Sequence, residues 1–243
     1  MTTYVGYINM SFLNDLLDKI MHGGSVPPPI ATPSPAVIIL PPPDNPVIIL
    51  PAPISDVLGA MATSRQGLAE ITGYEGVCTA PYKDSVGVWT FGIGHTRYDG
   101  APIPENMQKG LDHPLEEIFA LFQNRIKRYE KDVNNVLTVP VSQAQFDALV
   151  SFHYNTGAIG YASLVPTINA GGSKAGITAH FMMYVKGGGR TIQGLVTRRT
   201  NEAKLYCTGL YANHGEALVT TADVNGREMS SHARSIDVLP FIS

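Results

Sequence analysis

Two carboxylic acids and a hydroxyl group lie close together in one short stretch of the chain. Eight residues separate Glu75 from Asp84, and five separate Asp84 from Thr90. A glutamate that ends a helix beside apolar residues is partly desolvated, which favours its protonated form, whereas an aspartate among the amide groups of an open turn stays ionised. Two carboxyl groups in such different surroundings are what glycoside hydrolysis requires, and Thr90 on a facing strand can help to hold a water molecule. The residue types alone leave open that both acids are ordinary solvated surface charges.

The elements that would position these groups are a helix and a small sheet. Thr63 or Ser64 can cap a helix that runs to about Glu75. Residues 80–100 are rich in glycine, β-branched and aromatic types, which predicts a small antiparallel sheet with tight turns. The sheet is followed by helical patterns, so the predicted fold class is α+β, with a small sheet module and a mainly helical lobe.

The helical lobe has recognisable start signals. Pro114 is suited to open a long helix whose apolar stripe continues to Val136. Ser142 and Gln145 form a capping-box pattern in front of another helix. Glycine-rich breaks separate further helices, predicted at about 162–170, 173–185 and 194–207. After residue 208 the pattern is unclear, apart from a hairpin turn predicted at Asn225-Gly226.

Composition limits the function classes. The chain has 243 residues, of which 44% are hydrophobic and 15% charged, with a net charge of −3. These values are typical of a globular chain of one or two domains, and they give no electrostatic reason to expect nucleic acid as a partner. No apolar run approaches the roughly 18 residues of a membrane-spanning helix. A secretory signal peptide is not expected either, because Asp15 and Asp18 precede the first cation, Lys19.

The chain divides by composition into residues 1–59, 60–210 and 211–243. The first part holds 11 of the 18 prolines, a predicted amphipathic helix at 11–21, and two VIIL tetrads bracketed by prolines. It is predicted to be an ordered attachment segment that packs on a partner or on the chain's own domain, with a Pro-rich linker as the alternative. The middle part is the predicted catalytic domain, and the last part is left as a C-terminal tail.

The segment EGVCTAPYKDSVGVWTFGIGHT, residues 75–96, resembles the catalytic signature of phage-type lysozymes (endolysins, glycoside hydrolase family 24). The likeness continues in VSQAQFDALVSFHYNTG at 141–157 and GLVTRRTNEAKLYCTG at 194–209, in the family's order. It covers about residues 60–210. Two positions depart from the family, since Tyr184 stands where a Trp is frequent and Tyr154 where a Phe is common.

The resemblance implies an N-acetylmuramidase that cuts the β-1,4 bond between N-acetylmuramic acid and N-acetylglucosamine in peptidoglycan. Glu75 would protonate the departing oxygen, and Asp84 with Thr90 would position water or stabilise the developing oxocarbenium ion. Family members are described as inverting, which requires carboxyl groups roughly 6.5–9.5 Å apart. No cofactor or metal is called for.

The resemblance also places residues around this trio. Thr96 and Tyr154 correspond to positions that line the substrate cleft, although core packing explains Tyr154 equally well. His95, in the GIGH turn, is expected to make a structural hydrogen bond rather than to act as an acid or base.

Two arginines and two cysteines have alternative interpretations. Arg198 and Arg199 could clamp a phosphate, but we expect one to pair with an acidic residue near Glu75 and the other to be solvated. Cys78 and Cys207 are expected to be free, mostly buried thiols, with an internal disulfide as the alternative.

Three classes of function remain open: an active peptidoglycan hydrolase, a binding or structural protein that keeps a lysozyme fold, and another glycosidase such as a chitinase. The intact trio favours the first. The enzyme would be attached to a phage virion, such as its tail, through residues 1–59, or would wait in the host cytoplasm as a holin-dependent endolysin. A signal-arrest-release leader is not expected, because no helix of suitable apolar length is found.

Overall fold

The computed structural model describes residues 59–84 and 87–243. The helix predicted at 11–21 and both VIIL tetrads lie outside the described residues. In the part of the chain that is described, no helix is both long and apolar enough to cross a membrane.

The first helix, α1, spans Arg65–Glu75 and ends on the candidate acid. Its N-cap is Ser64, whose hydroxyl oxygen accepts from the Gly67 amide at 3.0 Å. Gly76 follows with φ of 72°, a left-handed conformation that turns the chain sharply into the first strand. The predicted cap and end of this helix are confirmed, and the turn fixes Glu75 at the junction of helix and sheet.

The sheet has five strands in the order β3-β2-β1-β6-β7. Their bounds are β1 Val77–Lys83, β2 Trp89–Gly92, β3 His95–Thr96, β6 Glu216–Thr220 and β7 Arg234–Asp237. The first three pair antiparallel, as predicted, but β6 pairs parallel to β1 and makes the sheet mixed. The segment set apart above as a tail at 211–243 therefore supplies two strands, and a boundary near 210 does not separate two structural units.

The helical lobe follows the predicted order. Its helices are α2 Leu115–Val136, α3 Gln143–Thr156, α4 Leu164–Asn169, α5 Lys174–Phe181 and α6 Gln193–Thr208. The α5 helix is shorter than predicted because the chain turns into a hairpin, β4 Lys186–Gly187 with β5 Arg190–Thr191.

The α3 helix lies at the centre of this lobe, since ten of its residues are buried. It begins with the predicted capping box, in which the Ser142 amide donates to the Gln145 side chain at 2.8 Å. Phe146 and Phe152 on α3 are fully buried with Phe119 of α2 and Phe181 of α5. This core anchors the helices that carry the polar residues behind the candidate site.

Candidate active site

Glu75 lies at the end of α1 and is only 6% exposed. Its Oε1 accepts a hydrogen bond from Nη1 of Arg198 at 2.5 Å, in an ion pair that joins the end of α1 to α6. A charge-assisted bond of this kind fixes the orientation of the carboxyl group. Arg198 of α6 therefore fixes the position of the Glu75 carboxyl group at the end of α1.

Arg198 is fully buried and has several partners besides Glu75. Its Nε donates to Oε1 of Glu202 at 3.0 Å, and its Nη2 donates to the carbonyl of Ser151 at 3.1 Å. Burial lowers the pKa of Arg198, but the two carboxylates more than offset this and hold the pKa above its ordinary value. The expectation that one arginine pairs with an acidic group at this site is met by Glu75 itself.

Arg199 is also fully buried, so the expectation that it is solvated is wrong. Its Nη2 donates to Glu202 Oε1 at 2.9 Å and to Asn155 Oδ1 at 3.0 Å. Burial lowers its pKa to about 10, with Arg198 acting in the same direction. Both guanidinium groups are paired with interior carboxylates, which does not suit a phosphate clamp.

Asp84 lies directly after β1, in the turn that leads to β2. Its Oδ1 accepts from the Val88 amide at 2.8 Å, and its own amide donates to the Val88 carbonyl at 2.9 Å. The aspartate accepts from a turn amide, as expected, but it is half-buried rather than open to solvent. The turn residues 85–86 are outside the described ranges.

Thr90 lies in β2 and is fully buried. It faces Tyr82 of β1 and Thr96 of β3 across the sheet, and its hydroxyl donates to the Val88 carbonyl at 3.3 Å. Its role in holding water stays a prediction.

The end of α1 and the hairpin of β1 and β2 both line a cavity of about 180 Å³. It is lined by Glu75, by Tyr82 two residues before Asp84, and by Gly92 two residues after Thr90. Glu75 is the one trio member that lines this cavity; Asp84 and Thr90 lie on the same hairpin as Tyr82 and Gly92 but are not among its lining residues.

Tyr154 is only 3% exposed and lies in the interior. Its hydroxyl donates to the Ile93 carbonyl at 2.9 Å and accepts from Arg125 Nη1 at 2.8 Å. Arg125 also donates to the Gly94 carbonyl at 2.7 Å. These contacts favour the packing interpretation of Tyr154, in which it supports the GIGH turn.

Arg125 was missed by sequence reasoning, although it borders the apolar stripe of α2. It also pairs with Asp99 Oδ1 at 3.1 Å, and Asp99 Oδ2 accepts from the Thr96 amide at 2.9 Å. Thr96, the other predicted cleft residue, is half-buried, and its hydroxyl also donates to Asp99 at 3.1 Å. His95 is buried, and its Nε2 donates to the Pro102 carbonyl at 2.8 Å, which is the structural hydrogen bond that was expected.

Both cysteines are free thiols in the structure, as predicted. Cys78 is buried and donates to the Ala80 carbonyl at 3.2 Å. Burial raises the pKa of its thiol to about 12, which leaves it without nucleophilic character at neutral pH. Among the described residues there is no group of three or more His, Cys, Asp or Glu side chains that could hold a metal ion.

An acid at the end of a helix, an aspartate on the following hairpin and a helical lobe behind them define a lysozyme-like α+β fold. The model of the phage lysozyme family matches residues 72–202, more than half of the chain and including the whole trio. The chain belongs to the phage lysozyme family.

Individual relatives agree with this assignment. The endolysin of Bacillus phage B103 is 33% identical over 153 residues, which cover 61% of this chain and 55% of that protein. The chain thus spans only about half the length of that relative. The solved endolysin from Escherichia coli O157:H7 phage FAHEc1 is 32% identical with a TM-score of 0.56, covering 63% of this chain and 97% of that one. The muramidase domain of SpmX from Asticaccaulis excentricus is 27% identical with a TM-score of 0.51, covering 60% and 98%.

Proposed function

We propose that this chain is a peptidoglycan hydrolase that cleaves the β-1,4 bond between N-acetylmuramic acid and N-acetylglucosamine. The observation that carries the proposal is the placement of Glu75 at the end of α1, beside a cavity and next to the hairpin of Asp84 and Thr90, in a chain of the phage lysozyme family. The names of its relatives, endolysin and muramidase domain, support the same substrate class.

In this proposal Glu75 is the general acid. The protonated form of Glu75 is the reactive one, with its proton on the oxygen other than the Oε1 that accepts from Arg198. As the bond between the anomeric carbon and the glycosidic oxygen breaks, this proton passes to the departing oxygen and leaves the Glu75 carboxylate paired with Arg198. A positioned acid of this kind contributes about 10²–10⁴ in rate. Arg198 holds one carboxyl oxygen of Glu75, and so fixes the direction from which the proton is delivered.

Asp84 and Thr90 act on the other reactant. A water molecule adds its oxygen to the anomeric carbon, and the Asp84 carboxylate accepts the proton that this water loses or stabilises the positive charge of the sugar. The Val88 amide, which donates to Oδ1, orients the Asp84 carboxylate for this role.

The test is digestion of purified peptidoglycan followed by mass spectrometry of the products. We expect new reducing ends on N-acetylmuramic acid, and none from the Glu75→Gln variant. Reducing ends on N-acetylglucosamine, or cleavage of chitin at a comparable rate, would identify a different glycosidase. Tight binding to peptidoglycan without any new reducing ends would identify a binding protein on a lysozyme fold.

We further propose that residues 1–59 attach the enzyme to a phage virion part. The support is the composition of that segment, with an amphipathic pattern and two apolar tetrads that are costly to leave in water. The alternative is a soluble endolysin that acts at host lysis, and the endolysin relatives fit it equally well. Immunoblots of washed virions distinguish the two roles. Detection of the protein in the particles supports virion attachment, whereas its absence contradicts attachment and favours the soluble endolysin.

A further inference from the structure

The cavity beside Glu75 has a second wall that does not come from the helix or the hairpin. That wall is made by the segment after residue 210, which contributes Leu218, Thr220, Glu228, Ser230 and Ala233. All of these residues lie beyond residue 202, where the match to the family model ends. The second wall therefore belongs to a part of the chain that the family resemblance does not account for.

The strand β6 brings this segment to the site. Val219 pairs with Val77 and Thr220 with Cys78, so the parallel strand runs beside the first residues that follow Glu75 and Gly76. The sheet is thereby widened next to the acid, and the cavity lies over the added strand.

The part of the wall around Glu228 is held rigidly. Glu228 forms an antiparallel bridge with Ala222, and the Thr220 hydroxyl donates to the Met229 carbonyl at 3.0 Å. The Met229 amide donates to the Thr221 carbonyl at 2.8 Å. A backbone fixed in this way presents its side chains in a defined arrangement, which is what a binding subsite needs.

The chemistry of the wall fits a sugar. Leu218 and Ala233 offer apolar surface, whereas the carboxylate of Glu228 is a pure acceptor and the hydroxyls of Thr220 and Ser230 add polar atoms. A sugar residue has C–H faces for apolar surface, and hydroxyl and amide N–H groups that donate to a carboxylate. The volume of about 180 Å³ is small beside the roughly 300–1,000 Å³ of typical ligand pockets, which suits one sugar residue better than a longer stretch of glycan.

We propose that residues 216–233 form one wall of a glycan subsite beside Glu75, in which Glu228 accepts hydrogen bonds from a single sugar residue of the substrate. This inference rests on the proposed hydrolase function and deepens it. The subsite binds the substrate chain next to the cleaved bond, so it acts on substrate affinity and leaves the chemical step to the trio.

The first experiment measures kinetics on glycan strands freed of their peptides and on intact peptidoglycan. Glu228→Ala is expected to raise KM about tenfold on both substrates, as the loss of a hydrogen bond to a charged acceptor does, with kcat within about twofold. Glu216→Ala is the matched control, because Glu216 is also an exposed glutamate of the segment after residue 210 but lies on β6 and does not line the cavity. An unchanged KM, or a fall in kcat alone, would overturn the subsite. An effect confined to peptide-bearing substrate would also overturn it, because the contact would then be to the peptide.

The second experiment separates this inference from the proposed function. In the Glu75→Gln background, calorimetry measures binding of peptide-free glycan strands with and without Glu228→Ala, so no turnover is needed. Ala233→Phe adds bulk inside the cavity and is expected to weaken binding by a similar factor. It tests the cavity at a second position, so the conclusion does not depend on correct folding of Glu228→Ala alone. Equal affinity of all three proteins refutes the subsite, whereas lack of cleavage by the unmodified chain refutes only the hydrolase.

Discussion

At the scale of single residues, the site is built around a buried group of opposite charges. Glu75 and Glu202 are matched by Arg198 and Arg199, and all four side chains are nearly inaccessible. An intact buried ion pair adds little net stability, because desolvation of both charges offsets their attraction. Removing one partner leaves an uncompensated buried charge and is strongly destabilising. Glu75, the proposed catalytic acid, is therefore also a structural residue that ties the end of α1 to the helical lobe.

Glu75→Gln separates these two roles. We expect cell-wall lysis to fall at least 100-fold, because the amide has no proton of suitable acidity to donate. We also expect a lower melting temperature, since the buried cluster is left with two guanidinium groups and one carboxylate. The loss should be smaller than the about 3–5 kcal/mol typical of a broken buried pair, because the amide oxygen still accepts from Arg198.

Glu70→Gln is the control for this variant. Glu70 lies on the same helix and is equally buried, but it accepts from the backbone amides of Ala212 and Asn213 rather than from Arg198. It should lose stability and keep its lysis rate when assayed well below its melting temperature. More than about a tenth of normal activity in Glu75→Gln would contradict the general-acid role.

Thr90→Val tests whether the threonine hydroxyl does more than pack. The substitution keeps the branched shape in a fully buried site and removes only the hydroxyl. Stability should change little, because the Val88 carbonyl that accepts from Thr90 also accepts from the Asp84 amide. We expect kcat to fall clearly at an unchanged melting temperature. Normal turnover in the valine variant would show that Thr90 serves packing alone.

At the scale of elements, the hairpin that carries Asp84 is supported by the C-terminal segment. The Lys83 amide donates to the Gly226 carbonyl at 2.8 Å, and Gly226 lies directly against the Trp89 ring. Trp89 also has the ammonium group of Lys109 over its face, 4.4 Å from the ring centroid. Through Gly226, the C-terminal segment thus contacts both strands that flank the Asp84 turn, and this segment lies outside the region of family resemblance.

Gly226→Ala tests this support. A Cβ at this position would come within 2.4 Å of the Trp89 ring, so the ring or the turn must move. We expect a loss of stability and a reduction of kcat, as the hairpin and Asp84 shift.

Gly171→Ala is the matched control, because Gly171 has a similar φ of 69° but open space around it. Both variants bear the cost of a left-handed alanine, roughly 1–2 kcal/mol. Equal stability and activity of the two would show that the contact with Trp89 does not position the hairpin.

The same elements show what the sequence could and could not predict. Caps and periodicity are local signals, so Ser64, Pro114 and the capping box at Ser142 located their helices. The Asn225-Gly226 turn was also found, and both residues lie in the tight connection between Ala222 and Glu228. The parallel pairing of β6 with β1 was missed, because the partners are about 140 residues apart and no local pattern records such a contact.

Site residues divide in the same way. The trio was predicted from residue types and family resemblance, and one arginine was expected to pair with an acidic group, but the contacts with Glu202 and Asn155 were not predicted. The pattern of α6 places Glu202 three residues after Arg199, but nothing local shows that Arg199 is buried, since its other partner, Asn155, meets it only in the folded core. Arg125 was missed for a related reason, because its partners are backbone carbonyls in the GIGH turn, far away in sequence.

At the scale of the whole molecule, the C-terminal segment, residues 211–243, packs against the N-terminal end of α1. Arg65, at the start of this helix, donates to the carbonyls of Leu239 and Ile242 at 2.7 and 2.9 Å. Tyr211 donates to Asp147 at 2.6 Å, the same carboxylate that binds the helix cap Ser64. The segment therefore stabilises the helix whose last residue, Glu75, is the proposed catalytic acid.

Two truncations test the division of the chain. Deletion of residues 1–59 should leave a folded, active enzyme, because the described core begins with Met61 and the trio lies after it. Deletion of residues 211–243 should abolish folding, because it uncovers the edge of β1 and removes Val219, Val238 and Ile242 from the core. Burial of these three side chains is worth about 5–9 kcal/mol, which is comparable to the total stability of a typical domain. Circular dichroism melting curves and lysis assays on both proteins provide the measurement. A cooperative melt and normal lysis after loss of residues 211–243 would show that this segment is dispensable, and would also remove the structural basis for the second wall beside Glu75.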